Sequence, residues 1–224
     1  MVRCCLAVRV FENIDPRHAL DSGADALLLE LGDARDAARR DRRRSATSLL
    51  RRMRETVPEL ALYVRVAPVE SGEIDADLAA LIPAAPDGVF LEQACGGASL
   101  QHLAVKLCLC EAQAGVMEGV TRVVAMAAQT PAAVFQLGAY GGATARLAGL
   151  AFEAGALPQS TRAMARGLLV LGAAAAGTAA IDASPAEDDA EFATQCAAAQ
   201  REGFGAKLAF SAAQAAVARA VFAR

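Results

Sequence analysis

The stretch Arg122–Leu157, RVVAMAAQTPAAVFQLGAYGGATARLAGLAFEAGAL, decides the fold of this chain. Two short apolar runs within it, Arg122–Ala128 and Ala148–Phe152, have the length and composition of buried strands. The segment between them leaves room for a helix. A strand, a helical connection and a second strand are typical of a βα unit in a parallel sheet.

The same rhythm continues on both sides of this stretch, where short apolar runs alternate with longer helical segments. Eight runs with the spacing of βα units predict a (β/α)8 TIM barrel. A chain of 224 residues has the usual length of such a barrel, so we expect one domain over residues 1–224. The predicted strands are Cys4–Val10, Ala26–Leu31, Ala61–Val66, Gly88–Glu92, Arg122–Ala128, Ala148–Phe152, Thr178–Ile181 and Ala206–Phe210.

An open, doubly wound sheet is the alternative architecture, and it would need a glycine-rich nucleotide loop. The segment Gly138–Gly142 follows an apolar helical segment rather than a strand, and it lacks the G-x-G-x-x-G spacing. A phosphate-binding G-K-[S/T] is also missing. The segment is either a plain turn or a place where a ligand approaches the backbone.

Composition excludes some partners. The net charge of −3 gives no reason to expect nucleic acid. The one basic cluster, Arg39–Arg44 (RRDRRR), is interpreted as the solvated face of a helix, with an anchor for CoA or another phosphate as the alternative.

Six cysteines are present, without a C-x-x-C pair. Their spacing favours buried thiols in a reducing compartment over disulfides or a metal site. The opening MVRCCLAVRV has too short an apolar run for a signal peptide, and no segment predicts a membrane span. We therefore expect a soluble, cytoplasmic protein without a membrane partner.

Three motifs in the predicted order carry a family resemblance: GADALLLEL (residues 23–31), QTPAAVFQLGAYGGATARLAGL (129–150) and EGFGAKLAF (202–210). They resemble the citrate lyase β-subunit-like proteins of the HpcH/HpaI aldolase and citrate lyase superfamily. The resemblance implies a barrel of the phosphoenolpyruvate/pyruvate-domain type, carbon–carbon lyase activity and Mg²⁺. It also implies a small carboxylate or acyl-CoA ligand and a homo-oligomer, with a trimer as one form.

The resemblance places two Mg²⁺ ligands, a glutamate and an aspartate, at Gln129 and Ala156. A hard dication prefers anionic oxygens, so a carboxamide and a methyl group replace these ligands poorly. The chain either binds no metal or uses substitute ligands. The candidate substitutes are Glu30, Glu92, Glu153 and Asp182.

Arg65, at the end of the third predicted strand, matches the family arginine that grips a substrate carboxylate or thioester oxygen. It is therefore the leading candidate for catalysis and substrate binding, with a structural ion pair as the alternative. Asp33 matches a family carboxylate that would orient the arginine and a metal-bound water, or it caps a helix. Asp182 matches the family's Ala-Ile-Asp and is a substrate-binding candidate. His18 and His102 fall on predicted helices and favour packing or surface roles.

Three functions follow from these residues. The first is a citrate lyase β-subunit-like protein with lost or much reduced Mg²⁺ chemistry, acting as a binding or regulatory barrel. The second is an active carbon–carbon lyase for an acyl-CoA or a 2-oxo or hydroxy acid, with a rebuilt site. The third is another reaction on the same scaffold, because a fold does not determine a function.

Overall fold

The computed structural model describes residues 3–9, 21–32 and 36–222, with the side chain of Asp36 left aside. Eight parallel strands close into a barrel in sequence order. The last strand pairs with the first, so that Cys4 lies beside Lys207. The strands are β1 Cys4–Arg9, β2 Ala26–Glu30, β3 Ala61–Val66, β4 Gly88–Leu91, β5 Arg122–Met126, β6 Leu147–Phe152, β7 Ala179–Asp182 and β8 Ala206–Ala209. The predicted (β/α)8 barrel is confirmed.

Helices connect the strands, and the buried faces of the longer ones pack against the barrel. None of the described helices is both long and apolar enough to cross a bilayer. The helices within the described residues are α1 Asp36–Thr56, α2 Ile74–Leu81, α3 Gly96–Ala114, α4 Pro131–Val134, α5 Arg162–Ala175, α6 Asp189–Glu202 and α7 Ala212–Phe222.

The strands separate two hydrophobic layers, because alternate side chains of a strand point to opposite faces. Outward-facing residues such as Leu27 and Leu29 pack with helix residues such as Leu103 in the layer between strands and helices. Inward-facing residues such as Leu28 and Tyr63 fill the barrel interior. Burial of each large apolar side chain contributes about 1.5–3 kcal/mol, so both layers stabilise the closed barrel.

The arginine run Arg39–Arg44 is only partly the solvated face that its composition suggested. Arg39 and Arg43 are 6% and 8% exposed. Arg39 Nε and Arg43 Nε donate to Asp77 Oδ1 of α2 at 3.0 and 2.7 Å. A buried carboxylate needs such partners, and these bonds fasten α1 to α2. Arg40, Asp41 and Arg44 are the solvated members of the run.

The segment Gly138–Gly142 forms a turn against two neighbouring helices. The Tyr140 hydroxyl donates to Ala94 O at 2.8 Å and accepts from Gly96 N at 3.0 Å. A Cβ on Gly97 would lie 2.5 Å from the Ala139 carbonyl oxygen. Close backbone packing accounts for Gly97, whereas a Cβ on Gly138 or Gly142 would meet no atom within 4 Å.

The cysteines are only partly the buried thiols that their spacing favoured. Cys4, Cys5 and Cys196 are buried, whereas Cys95 is exposed. Cys108 and Cys110 of α3 are partly exposed. All six are free thiols.

Candidate functional site

Charged side chains gather where the strands end, at the face of a parallel barrel on which binding groups usually stand. Glu30 is the last residue of β2, and it pairs in register with Arg65 of β3. Glu92 and Glu153 each come directly after a strand, β4 and β6. All four side chains point towards the barrel axis, because each lies two residues after an interior residue of its strand. These interior residues are Leu28, Tyr63, Phe90 and Ala151.

Arg65 lies at the centre of this group and is bonded to three carboxylates. Its Nε donates to Glu92 Oε1 at 2.8 Å. Its Nη1 donates to Glu30 Oε1 at 3.1 Å and to Glu153 Oε1 at 3.4 Å, and its Nη2 donates to Glu153 Oε2 at 2.7 Å. The side chain of Arg65 is 15% exposed. The structure shows the ion pairs of Arg65, and substrate binding by Arg65 stays a prediction.

Electrostatics hold this guanidinium firmly charged. Burial by itself lowers the pKa of Arg65. The hydrogen bond to Glu153 and the charges of Glu153, Glu92 and Glu30 outweigh burial and raise the pKa of Arg65 above its ordinary value. Arg65 is therefore a permanent cation, and its positive charge is already paired with three carboxylates.

Gln129 extends the network beyond β5. Its Nε2 donates to Glu153 Oε2 at 2.5 Å, and its Oε1 accepts from the backbone N–H of Gln93 at 2.7 Å. Gln93 has a φ of +48°, a left-handed conformation that only a few per cent of non-glycine residues adopt. The amide of Gln129 thus bridges the loops after β4 and β6.

The backbone around Gln129 is equally constrained. Ala156 N donates to Gln129 O at 3.0 Å, and Gly155 has a φ of +47°. A Cβ on Gly155 would lie 2.4 Å from Gln129 O. Glycine at position 155 therefore allows the loop after β6 to lie against the end of β5.

Arg65, its three carboxylate partners and Gln129 line a cavity of about 700 Å³, here named the charged cavity. This volume lies within the size range of small-molecule sites. Among the described residues, three arginines and three glutamates line it. They are Arg9, Arg42, Arg65, Glu30, Glu92 and Glu153. Arg42 belongs to the run Arg39–Arg44, for which an anchor for CoA or another phosphate was the alternative prediction. Arg9 was not singled out from the sequence, although it stands near the end of the first predicted strand, where a site residue is expected.

Asp182 lies behind the barrel wall rather than at the charged cavity. Its Oδ2 accepts from Lys207 Nζ at 2.9 Å, and its Oδ1 accepts from Arg166 Nη1 at 3.1 Å. Burial raises the pKa of Asp182, but the charges of Lys207 and Arg166 outweigh it and lower the pKa. These contacts favour a structural role, and substrate binding by Asp182 stays a prediction.

The other residues predicted from the sequence contribute no side chain to the charged cavity in the described part of the chain, or lie outside that part. Asp33 and His18 lie outside the described residues, so the role of Asp33 stays a prediction. His102 is an exposed residue of α3. Ala156 is exposed and contributes only its backbone to the network. Within residues 3–9, 21–32 and 36–222, no group of three or more His, Cys, Asp or Glu side chains is arranged to hold a metal ion.

Solved structures with the same architecture identify the fold. RipC from Yersinia pestis is 24% identical and superposes with a TM-score of 0.76 over 99% of this chain and 94% of that chain. The citrate lyase β subunit from Mycobacterium tuberculosis is 19% identical, with a TM-score of 0.76 over 100% of this chain and 97% of that chain. The chain has the fold of the citrate lyase β subunit. A citrate lyase from Burkholderia xenovorans is 16% identical, with a TM-score of 0.84 over 99% of this chain and 77% of that one.

Another similar structure contains ligands. The protein CitE from Mycobacterium tuberculosis, in complex with magnesium and acetoacetate, is 20% identical, with a TM-score of 0.74 over 99% of this chain and 90% of that chain. No protein-family profile and no curated protein sequence matches this chain. The fold is therefore that of the citrate lyase β-subunit structures, as the sequence resemblance implied.

Proposed function

We propose that this protein is a citrate lyase β-subunit-like barrel, a single domain over residues 1–224, that binds a small carboxylate or acyl-CoA ligand in the charged cavity. Its Mg²⁺-dependent carbon–carbon lyase activity is lost or much reduced, so that it acts as a binding or regulatory barrel. A cytoplasmic homo-oligomer belongs to this proposal. Acetoacetate in the similar M. tuberculosis structure supports the choice of a small carboxylate as ligand class.

One observation carries the proposal: Arg65 is bonded to Glu30, Glu92 and Glu153 at once. A guanidinium stabilises a developing enolate only as far as its charge is available to that enolate. Three nearby carboxylates offset this charge, so Arg65 favours an anionic transition state less than an unpaired arginine would. A carboxylate ligand can still bind by replacing Glu153, because one carboxylate then takes over the hydrogen bonds of another.

The residues at the implied metal position do not fit Mg²⁺. The amide oxygen of Gln129 already accepts a hydrogen bond from Gln93, and Ala156 has no side-chain oxygen. Glu153, the nearest acid in sequence to Ala156, is engaged by both Arg65 and Gln129. Loss of a Lewis acid removes several kcal/mol of transition-state stabilisation, on the order of 10³-fold or more in rate.

The alternative is an active lyase with a rebuilt site, and one observation favours it. Glu30, Glu92 and Glu153 all converge on one guanidinium, so their carboxylates lie close together inside the charged cavity. If Arg65 moved aside, oxygens of Glu92 and Glu153 would be available for a dication.

Calorimetric titration separates the two proposals. Oxaloacetate, glyoxylate and acetyl-CoA are titrated into the protein with and without Mg²⁺ or Mn²⁺, and carbon–carbon cleavage is followed in parallel. We expect carboxylate binding that needs no metal and is abolished by Arg65→Ala, but not by Arg44→Ala at an exposed arginine. Metal-dependent turnover would establish the alternative, and absence of binding by all three compounds would overturn both.

A further inference from the structure

A second cavity, of about 450 Å³, lies inside the opposite end of the barrel, here named the basal cavity. Its walls include Phe90, Val124, Ile181 and Ala206, which belong to the interior layer. The lumen of a (β/α)8 barrel is normally filled by bulky branched side chains. Here small residues leave space, and apolar walls of this size are typical of a ligand site.

The backbone contributes to this space at the start of β6. The register of β5 and β6 shifts between Val123 and Val124, so that Val123 pairs with Leu147 and Val124 pairs with Gly149. Ala148 is the extra residue and lines the basal cavity. Such bulges bend a strand locally and are common at barrel rims and beside binding sites.

Polar groups without partners stand among these apolar walls. Tyr63 is 8% exposed, and its hydroxyl makes no hydrogen bond to any other described residue. The hydroxyl of Thr178 is equally unpaired within the described part of the chain. The ring of Tyr63 is largely buried and its hydroxyl borders the cavity, so a bound molecule would supply an acceptor for this hydroxyl.

Arg122 places a positive charge on the same cavity. It is exposed, and its Nη1 and Nη2 donate to the carbonyls of Ala145 and Leu147, each at 3.1 Å. These bonds orient the guanidinium but leave its charge unbalanced, because among the described residues Arg122 forms no ion pair. Asp87, whose charge acts on Tyr63, is itself paired with Arg54 Nη2 at 2.7 Å.

We propose that the basal cavity binds a small amphipathic carboxylate. Its aliphatic tail lies along Phe90, Val124 and Ile181. Its carboxylate lies at the mouth, where Arg122 supplies charge and the Tyr63 and Thr178 hydroxyls donate hydrogen bonds. This site is independent of the proposed function, because it shares no lining residue with the charged cavity.

The isoleucines of the chain allow a direct test. Ile181 lines the basal cavity, whereas Ile74 and Ile82 are buried in the outer layer. In protein labelled at isoleucine δ1-methyl groups, titration with butyrate, hexanoate and octanoate should move the Ile181 resonance and leave those of Ile74 and Ile82 in place. Each added CH₂ contributes about 0.8 kcal/mol, so affinity should rise roughly fifteenfold for every two carbons.

Substitutions distinguish the contribution of the ligand's carboxylate from that of its aliphatic tail. Arg122→Gln should weaken octanoate binding about tenfold while changing the binding of octanol less than twofold. Ala148→Leu and Val124→Phe fill the cavity from two sides and should each abolish the shift. Ala220→Leu, at an exposed position of α7, is the matched control. Thermal unfolding identifies any variant that fails to fold. If one of the two cavity-filling variants fails to fold, the other one tests the proposal.

Three results would overturn the proposal. The first is an Ile181 resonance that does not move on titration. The second is an affinity that does not rise with the length of the aliphatic tail. The third is an Ile181 shift that persists in a folded variant whose cavity is filled. Failure of carboxylate binding at Arg65 would leave this test unchanged, since Arg65 lies at the other end of the barrel.

Discussion

Glu153 holds Arg65 with both of its carboxylate oxygens, at 2.7 Å from Nη2 and 3.4 Å from Nη1. A two-point contact of this kind is the geometry in which an arginine binds a carboxylate ligand. Glu153 therefore occupies the place that a small carboxylate would take on Arg65, and it acts as an internal competitor for that ligand.

Glu153→Gln should strengthen carboxylate binding in the charged cavity. The substitution removes one of three negative charges around Arg65 and replaces a two-point ion pair by a weaker contact, so we expect about a tenfold gain in oxaloacetate affinity. Calorimetric titration measures it, with Glu55→Gln at an exposed position of α1 as the control. An unchanged or weaker affinity would mean that Glu153 does not compete with the ligand.

Gly155→Ala should destabilise the fold by more than its backbone conformation alone explains. The new Cβ would lie 2.4 Å from Gln129 O at a φ of +47°, so both the conformation and a clash oppose it. Gly115→Ala is the matched control, because Gly115 has a φ of +66° with nothing within 4 Å of the added carbon. We expect the control to cost about 1–2 kcal/mol and Gly155→Ala to cost more, as measured by denaturant unfolding. Equal costs would show that the loop after β6 simply moves away.

The strands of this barrel were predictable because each is a short apolar run of parallel-sheet type. The predicted bounds of Ala61–Val66 coincide with β3, and the other strands differ by a few residues at their ends. The alternation of side chains also carries information about the site. Arg65 continues the inward set after Tyr63, whereas Asp182 follows the inward Ile181 and must point outward. Counting in twos from the interior residues would have assigned Asp182 to the helix layer.

Other features depend on contacts between distant parts of the chain, which composition does not reveal. Arg39 and Arg43 resemble a solvated run until α2 brings Asp77 against them. The carboxylate set around Arg65 comes from three strands, and no local pattern gives the distances among its members. The space of the basal cavity likewise results from how several small side chains meet inside a closed barrel.

The cysteines should differ clearly in their rates of thiol labelling in the native protein. Cys95 is exposed and should react first with a neutral thiol reagent. Burial raises the pKa of Cys4 to about 12 and that of Cys196 to about 11, so little thiolate forms at either position. Mass spectrometry after timed quenching should show Cys4 and Cys196 labelled only at the rate of unfolding. Fast labelling of Cys196 in folded protein would contradict its burial on the inner face of α6.

Glu111 of α3 should be a main source of acid sensitivity. Burial raises the pKa of Glu111, but hydrogen bonds from Arg146 and from the N–H groups of Gly119 and Thr121 outweigh it and lower the pKa to about 2. Because the folded pKa lies below the unfolded value of 4.5, this stabilisation is fully present above pH 4.5 and is lost as pH falls towards 2. The shift corresponds to about 3 kcal/mol at neutral pH.

The variant Glu111→Gln tests this linkage. It leaves Arg146 buried without its carboxylate, so the free energy of unfolding at pH 7 should fall by about 3–5 kcal/mol. The difference from the unmodified protein should shrink between pH 4.5 and 2, because protonation then removes the same charge. Asp41→Asn, which breaks the exposed pair of Asp41 and Arg44, is the control and should change stability by less than about 0.5 kcal/mol at any pH. The difference in the free energy of unfolding between Glu111→Gln and the unmodified protein could instead stay constant down to pH 2. That result would assign the loss to altered packing rather than to the charge of Glu111.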